Sequence, residues 1–508
     1  MGALVGAIDE GTSSARFILF KAGTTEIVAS YQQSLSQIYP QEGWVEQDPI
    51  EILDVVNTCI EHTIDKLISL GGSVSDIAAI GVTNQRESTI VWEKSTGMPL
   101  YNSIVWLDVR TSSTVDHLLE KVPNKTHNKN YLKPLCGLPL SPYFSAVKLR
   151  WLQENVPKVQ KAIDANDCLF GTVDSWIMWN LTGGKNGGIH ITDVSNASRT
   201  MLMNIDTLKW DPVLLNFFGV SPNILPKIKS SSEIYGDIKV GPLRGIPLTG
   251  CLGDQQAALV GQQCLERGQA KATYGTGCFL LYNTGKARIN SQHGLVTTVA
   301  YQIGSKETPV YALEGSVAIA GAALNWLRDN MDILPSFDHA QDIAEKASLI
   351  ESGEVYFVPA FSGLYAPYWQ QEARGVIVGI SEDTQASHIV RATLDAVCFQ
   401  TRDILEAMNK DCKSHLTHLQ VDGGMTANTL LMQLQSDLTG ITVIKPEMAE
   451  STCLGAAMVA GAAVGVWDLN APMELPSQVW EPKLNDDERD MRYSKWNMAI
   501  EKAMGWDV

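Results

Sequence analysis

At 508 residues the chain is larger than a single hydrophobic core usually grows, which predicts two domains with a cleft between them. Its 45% hydrophobic and 19% charged residues are those of a folded globular protein and exclude extended disorder. A net charge of -17 argues against nucleic acid or an anionic membrane as the main partner, because both reward a positive face.

The nine cysteines, scattered from Cys59 to Cys453 without a CxxC pair, predict reduced thiols rather than a disulfide framework or a zinc site. The opening MGALVGA has no basic stretch and too short an apolar run for a secretory signal, and LGAAMVAGAAVGVW from Leu454 is too short to span a bilayer. A cytoplasmic location without an integral membrane segment is expected.

The first elements are two β-prone runs, Val5 to Ile8 and Arg16 to Phe20, joined by the polar residues Asp9 to Ser14. The pattern predicts a hairpin whose turn is that polar cluster. In DPIEILDVVNTCIEHTIDKLISLGG, Asp48 is a predicted N-cap, Pro49 the first helical residue, Glu51 the partner in a capping box and Gly71 a stop. Leu53, Val56, Ile60, Ile64 and Leu67 form its apolar stripe. IAAIGVTNQRESTIVWEKSTGMPLYNSIVW comes next, with strands, a polar bend at Asn84 to Ser88 and a turn at Gly97, so the class is α/β.

At Lys271 the pattern of the first hairpin returns as KATYGTGCFLLYNTG, placing Gly275-Thr276 about half a chain after Gly11-Thr12. Two related halves facing one another are predicted. The second half continues with a helix from Ser387, the strand LTHLQVDGG, the helix NTLLMQLQSDL, the strand ITVIKP and an Ala/Gly-rich helix. Tight helix packing accounts for most of the small residues in that last helix.

A tight turn between rigid strands presents backbone N–H groups, and glycine leaves room for a phosphate. Thr12, Ser13 and Ser14 add hydroxyls, Arg16 a permanent charge, and Asp9 a carboxylate able to hold hydrated magnesium. One such turn alone reads first as an ordinary hairpin with solvated hydroxyls; the second Gly-Thr-Gly turn shifts the reading toward a grip on nucleotide phosphates from two sides. GxxxxGK[ST] and GxGxxG loops are absent, and GGKNGG around Lys185 lacks their spacing. In TGCLGDQQAAL, Asp254 reads either as an N-cap or as a general base at a strand end. The Arg86–Glu87 pair in TNQRES is either a surface pair or a donor and acceptor for polyol hydroxyls, and Trp106 is either core or an apolar wall.

With these residues the sequence resembles the glycerol kinases of the FGGY family of carbohydrate kinases along nearly its whole length. Both family signatures stand in it, YFSAVKLRWLQEN from Tyr143 and GVIVGISEDTQASHIVRATLD from Gly375, together with GWVEQDP, TNQRESTIVWE, VSNASRTML, GDQQAAL and TYGTGCF. The resemblance implies two ribonuclease-H-like domains of the actin, hexokinase and Hsp70 ATPase fold, 1–261 and 262–508, with ATP and glycerol meeting in the interdomain cleft. Arg86, Glu87, Tyr143 and Asp254 match glycerol contacts, and Gln255 with the walls Trp106 and Phe279 completes the pocket. Asp254 matches the catalytic base, assisted by Arg86, and Asp9 with Asp254 lies toward magnesium. Thr12, Ser13, Ser14 and Arg16 match the first phosphate hairpin, Thr276 the second, and Gly321, Asn325, Gly424 and Asn428 the remaining nucleotide contacts.

The implied reaction is ATP-dependent phosphorylation of glycerol to sn-glycerol 3-phosphate and ADP, serving glycerol catabolism and glycerolipid supply, by a homo-oligomer, dimer or tetramer. A kinase for xylulose or ribulose and a catalytically silent nucleotide-binding relative are the alternatives. Glu10 stands where bacterial members carry Gln, TSSAR replaces TTSSR, and Asn325 replaces Gln. YGDIKVGPLRGIPL lacks the Gly-Lys-Gly loop used by some members for feedback by a sugar bisphosphate, so that regulation is not expected.

Overall fold

The computed structural model describes residues 2–506 apart from 124–125, 318, 348–354, 362, 371, 472 and 474. The first half is built on a six-stranded sheet in the order Ser232–Asp237, Pro247–Gly253, Ile77–Asn84, Leu4–Glu10, Ser14–Lys21, Ile27–Ser34. Leu4–Glu10 and Ser14–Lys21 form the predicted antiparallel hairpin, with Asp9 opposite Arg16. Asp9 and Glu10 complete its first strand and Ser14 begins its second, so the turn shrinks to Gly11, Thr12 and Ser13. Parallel pairing with Ile77–Asn84 extends the first strand: Glu10 lies beside Asn84, and Asn84 beside Gly253. Three parallel strands therefore end level, and the chain leaves all three at the same edge of the sheet.

The second half repeats this plan in a seven-stranded sheet, Val296–Tyr301, Val310–Val317, Cys278–Gly285, Ala270–Tyr274, His418–Asp422, Thr442–Pro446, Ser477–Trp480. Here too a hairpin, Ala270–Tyr274 with Cys278–Gly285, lies parallel to a later strand on one side and antiparallel to Val310–Val317 on the other. The turns at Gly11 and Gly275 are topologically equivalent, and each glycine N–H donates within its own turn, to Ser14 O at 2.9 Å and Gly277 O at 2.8 Å.

Helix Pro49–Ser69 is capped by Asp48, whose carboxylate accepts from Ile50 N at 2.8 Å. The predicted capping box does not form, because the Glu51 carboxylate takes the N–H of Ser36 at 3.1 Å instead. Its buried face runs through Ile52, Val56, Cys59, Ile60, Ile64 and Leu67, while Leu53 is only partly covered. All nine cysteines are buried and unpaired. Among the described residues no helix is long and apolar enough to cross a membrane.

The Ala/Gly-rich helix Ser451–Ala463 packs on the first half's sheet and across helix Asp254–Gly261. A Cβ on Gly455 would collide with the carbonyl of Ala257, and one on Gly261 with that of Ser451. The small residues are there for backbone contact, as expected. The crossing joins the two halves directly behind the residue that opens Asp254–Gly261.

Candidate active site

The level strand ends place Asp9 and Glu10, then Gln85 to Ser88, then Asp254 at one edge of the first sheet. From the second half, Phe279 reaches Trp106, and the Gly275–Gly277 turn that precedes it is bonded to the start of helix Gly321–Asp329.

Asp254 is the first residue of Asp254–Gly261, and Gly253 holds the cap position without a side-chain bond, so the N-cap alternative fails. Its Oδ1 accepts the N–H of Gln255 at 2.7 Å and faces Arg86 Nε at 3.3 Å, and 26% of its side chain remains exposed. Burial pushes its carboxyl up to about 6 against the pull of Arg86, and the neighbouring Glu87 charge adds to the rise. A carboxylate tuned upward, partly open and at a strand end is suited to accepting a proton.

Arg86 and Glu87 are not a surface pair, being 3% and 1% exposed. The Arg86 guanidinium gives Nη1 and Nη2 to the carboxylate of Glu314 at 2.7 Å each. Arg199 Nε donates to Glu87 Oε1 at 2.5 Å, and its Nη1 lies 3.3 Å from Glu314 Oε2. Glu87 occupies the left-handed region, φ 62°, which turns its carboxylate back beneath Arg86. Burial pushes Glu314 up, and the Arg199 and Arg86 charges outweigh it, holding its carboxyl at about 2.

Above these charges stands an aromatic wall. Trp106 meets Tyr143 edge-on at 5.7 Å between ring centres and Phe279, from the second half, at 5.6 Å. Trp106 Nε1 also donates to Thr12 Oγ1 at 3.0 Å, tying the wall to the first hairpin. Lys148, fully buried, donates to the carbonyls of Pro142 and Tyr143 at 2.6 Å each and so fixes the Tyr143 loop. Gln255 is 7% exposed, and its Oε1 is taken by Lys271 Nζ of the second half, which leaves its amide nitrogen for a ligand.

In the first hairpin, Ser13 is exposed at the turn, Thr12 and Ser14 are half-buried, and Gln47 Nε2 fixes the Thr12 carbonyl at 2.8 Å. Arg16 lies between two acids, 3.8 Å from Asp9 and 2.7 Å from Glu450. In the second hairpin, Thr276 is exposed and its carbonyl accepts from Ala320 N at 3.0 Å and Ala322 N at 3.1 Å. Gly321 rests against this turn, where a Cβ would lie 2.7 Å from Gly275 O, and Asn325 stands one turn further along. Gly424 faces open space. Asn428 caps Thr429–Thr439 through Oδ1, at 2.9 Å from Leu431 N.

The acids fit a hydrated divalent cation. Asp9 is 5% exposed, and burial raises its pKa against the offset from Arg16. Glu10, fully buried, is held far above the usual carboxylate range by burial, and the Asp9 and Asp254 charges add to it. Among the described residues, the group of three ligand atoms within 4.8 Å of one another is Asp174, Asp193 and Cys251, and Asp9, Glu10 and Asp254 do not come that close together. The Asp174 group is satisfied from within: Thr192 donates to Asp174 at 2.7 Å and Ser231 to Asp193 at 2.8 Å.

The model of the N-terminal domain of the FGGY family of carbohydrate kinases matches residues 4–261, and that of its C-terminal domain residues 270–464. The chain belongs to the FGGY family. Among its relatives, the probable glycerol kinase of Dictyostelium discoideum is 49% identical, over 99% of this chain and 98% of the relative. A glycerol kinase of Arabidopsis thaliana is 50% identical, over 98% and 97%. The structure of Plasmodium falciparum glycerol kinase with ADP superposes with a TM-score of 0.87 at 37% identity, covering 99% of each chain. The ligand-bound xylulose kinase of Lactobacillus acidophilus shares the FGGY fold, with a TM-score of 0.82 at 22% identity over 98% and 97%. Within this FGGY chain, Arg199, Glu314, Lys271 and Glu450 are the residues that sequence reasoning missed. A signal existed for one of them: Glu314 is a lone acid within the apolar strand YALEGSV.

Proposed function

We infer that this chain transfers the γ-phosphoryl group of ATP to glycerol, giving glycerol phosphate and ADP. The observation that carries the reading is Asp254 held beside Arg86, which also neighbours Glu87, with the Trp106–Tyr143–Phe279 rings of both halves meeting nearby. Glu87 accepts one hydroxyl hydrogen and Arg86 donates to the neighbouring oxygen, while the rings cover the carbon chain. Asp254 takes the proton of the terminal hydroxyl as its oxygen bonds to phosphorus and the bond from phosphorus to the leaving ADP oxygen breaks. The turns at Gly11–Ser13 and Gly275–Gly277, with Arg16, bind and orient the phosphates. Asp9 and Asp254 would hold magnesium, which supplies charge neutralisation on the phosphates when bound.

Attack from the sn-3 hydroxyl, the magnesium requirement, the nucleotide contacts of Thr12, Ser13, Ser14, Thr276, Gly321, Asn325, Gly424 and Asn428, and a domain boundary at Gly261 belong to the same proposal. So do a cytoplasmic location and a homo-oligomer, which fractionation and light scattering test. ADP release is measured with glycerol, dihydroxyacetone, xylulose and ribulose, in wild type and Asp254→Asn. Glycerol-dependent turnover that drops by at least about a hundredfold in the variant, with ADP binding retained, is expected. Turnover with a ketose alone overturns the substrate, and wild-type turnover in Asp254→Asn overturns the base.

A further inference from the structure

We propose that Glu314, supplied by the second half, is the positioning residue of the polyol pocket: it takes the guanidinium fork of Arg86 and thereby decides which Arg86 donor faces the polyol. This rests on the glycerol kinase reading.

The position of Glu314 is unusual for a carboxylate. It sits in Val310–Val317 between Leu281 and Val296 of the neighbouring strands, fully buried, with nothing charged next to it in the strand. Its only ion-pair partners among the described residues are Arg86 and Arg199, both from the first half. A buried carboxylate is tolerated only where charged partners surround it.

The end-on fork of an arginine, Nη1 with Nη2, takes one carboxylate at a time and leaves the Nε–Nη2 edge as a second set of donors. Three compete for Arg86: Glu314 at 2.7 Å from both Nη atoms, Asp254 at 3.3 Å from Nε and Glu87 at 3.9 Å from Nε. Glu314 wins the fork. Nη1 is then filled, since its other contact is Gln256 Oε1 at 3.3 Å. The second hydrogen of Nη2 is what remains for a polyol oxygen, and Asp254 keeps only an edge contact to Nε. Without Glu314 the fork is released to Asp254, where a two-bond pair would occupy the proton acceptor itself.

The test uses the full chain and steady-state kinetics with glycerol and ATP varied separately. Glu314→Gln keeps the shape but offers Arg86 an N–H where it needs an acceptor. Its kcat/KM for glycerol is expected to fall about 10- to 100-fold, while KM for ATP stays within about twofold. In an Arg86→Gln background the same change is expected to cost less than about threefold, because its effect runs through Arg86. An unchanged kcat/KM for glycerol, an equal loss against ATP, or full additivity in the double variant overturns the inference. Glu314→Asp, which keeps the charge and withdraws it by one methylene, covers the case in which Glu314→Gln fails to fold. A raised glycerol KM is expected for it, and an unchanged one overturns the inference. Wild-type chain that ignores glycerol sinks the functional reading, and the inference falls with it; an active wild type with an unaffected Glu314→Gln sinks the inference alone.

Discussion

Replacing Gly253 by alanine isolates the placement of Arg86 from its chemistry. Gly253 has φ -61° and ψ 151°, values any residue adopts, so the added methyl brings no backbone strain. Its Cβ would lie 2.8 Å from Cγ and Cδ of Arg86 and 2.9 Å from Gln256 Oε1. Ordinary contact begins at 3.4 Å, so Arg86 must yield by about 0.6 Å. An exposed arginine would swing aside; this one is 3% exposed and pinned at both Nη atoms, so the displacement reaches the guanidinium. Overpacking of about 1–3 kcal/mol is offset by the roughly 0.4–1 kcal/mol that losing a glycine removes from the unfolded chain's entropy. Stability should fall by only about 1–2 kcal/mol, whereas a pocket misaligned on this scale loses about 10- to 100-fold in kcat/KM. Thermal unfolding and glycerol kinetics are measured on the same preparation. A folded Gly253→Ala enzyme within about twofold of wild type in kcat/KM for glycerol would refute the claim that Arg86 geometry governs polyol recognition.

Gly455→Ala strikes the crossing of Ser451–Ala463 with Asp254–Gly261, where the added carbon meets the Ala257 carbonyl. It should cost about 3 kcal/mol and lower turnover together with the urea midpoint, whereas Gly424→Ala, facing open space, should leave the midpoint unchanged. Asp403 lies beneath Tyr493 at 2.7 Å and Trp496 at 2.9 Å, and burial pushes its carboxyl up to about 7. The folded state then holds this proton more tightly than the unfolded chain, so its stabilising contribution is complete below about pH 4 and is lost as pH rises through about 7. The Tm of Asp403→Asn minus that of wild type should therefore grow between pH 4 and pH 8, by the equivalent of at most about 4 kcal/mol, and a difference that shrinks over that range contradicts the assignment.

The hairpins were legible because their signal is local: a polar cluster between two apolar runs survives in any tertiary setting, and its return at Lys271 announced the second half. Local reading failed where a distant group offered a better partner. Glu51 has the spacing of a capping box, yet Ser36 N, on a segment that spacing rules ignore, takes its carboxylate. Asp254 has the look of an N-cap, yet the helix begins one residue earlier, directly at the end of strand Pro247–Gly253, so that Gly253 caps and Asp254 is the first helical residue. Arg86 and Glu87 were found because they are adjacent; Arg199 and Glu314, which hold them, stand 112 and 228 residues away.

That separation has its origin in the architecture. Each half alone presents an incomplete charge set: the first contributes Arg86 and Arg199 with Glu87 and Asp254, and the second contributes Glu314 and Lys271. Both sheets repeat one plan, a hairpin flanked by a parallel strand, and the two sets meet where the halves touch. Glu314, on the fourth strand of its half in chain order, and Lys271, on the first, meet Arg86 and Gln255 of the first half, as Thr452 reaches Asp9 at 2.7 Å and Glu450 reaches Arg16. If the halves shift, Glu314 leaves Arg86 and Lys271 leaves Gln255, so on the proposed reading the registration of the two halves is itself part of substrate recognition.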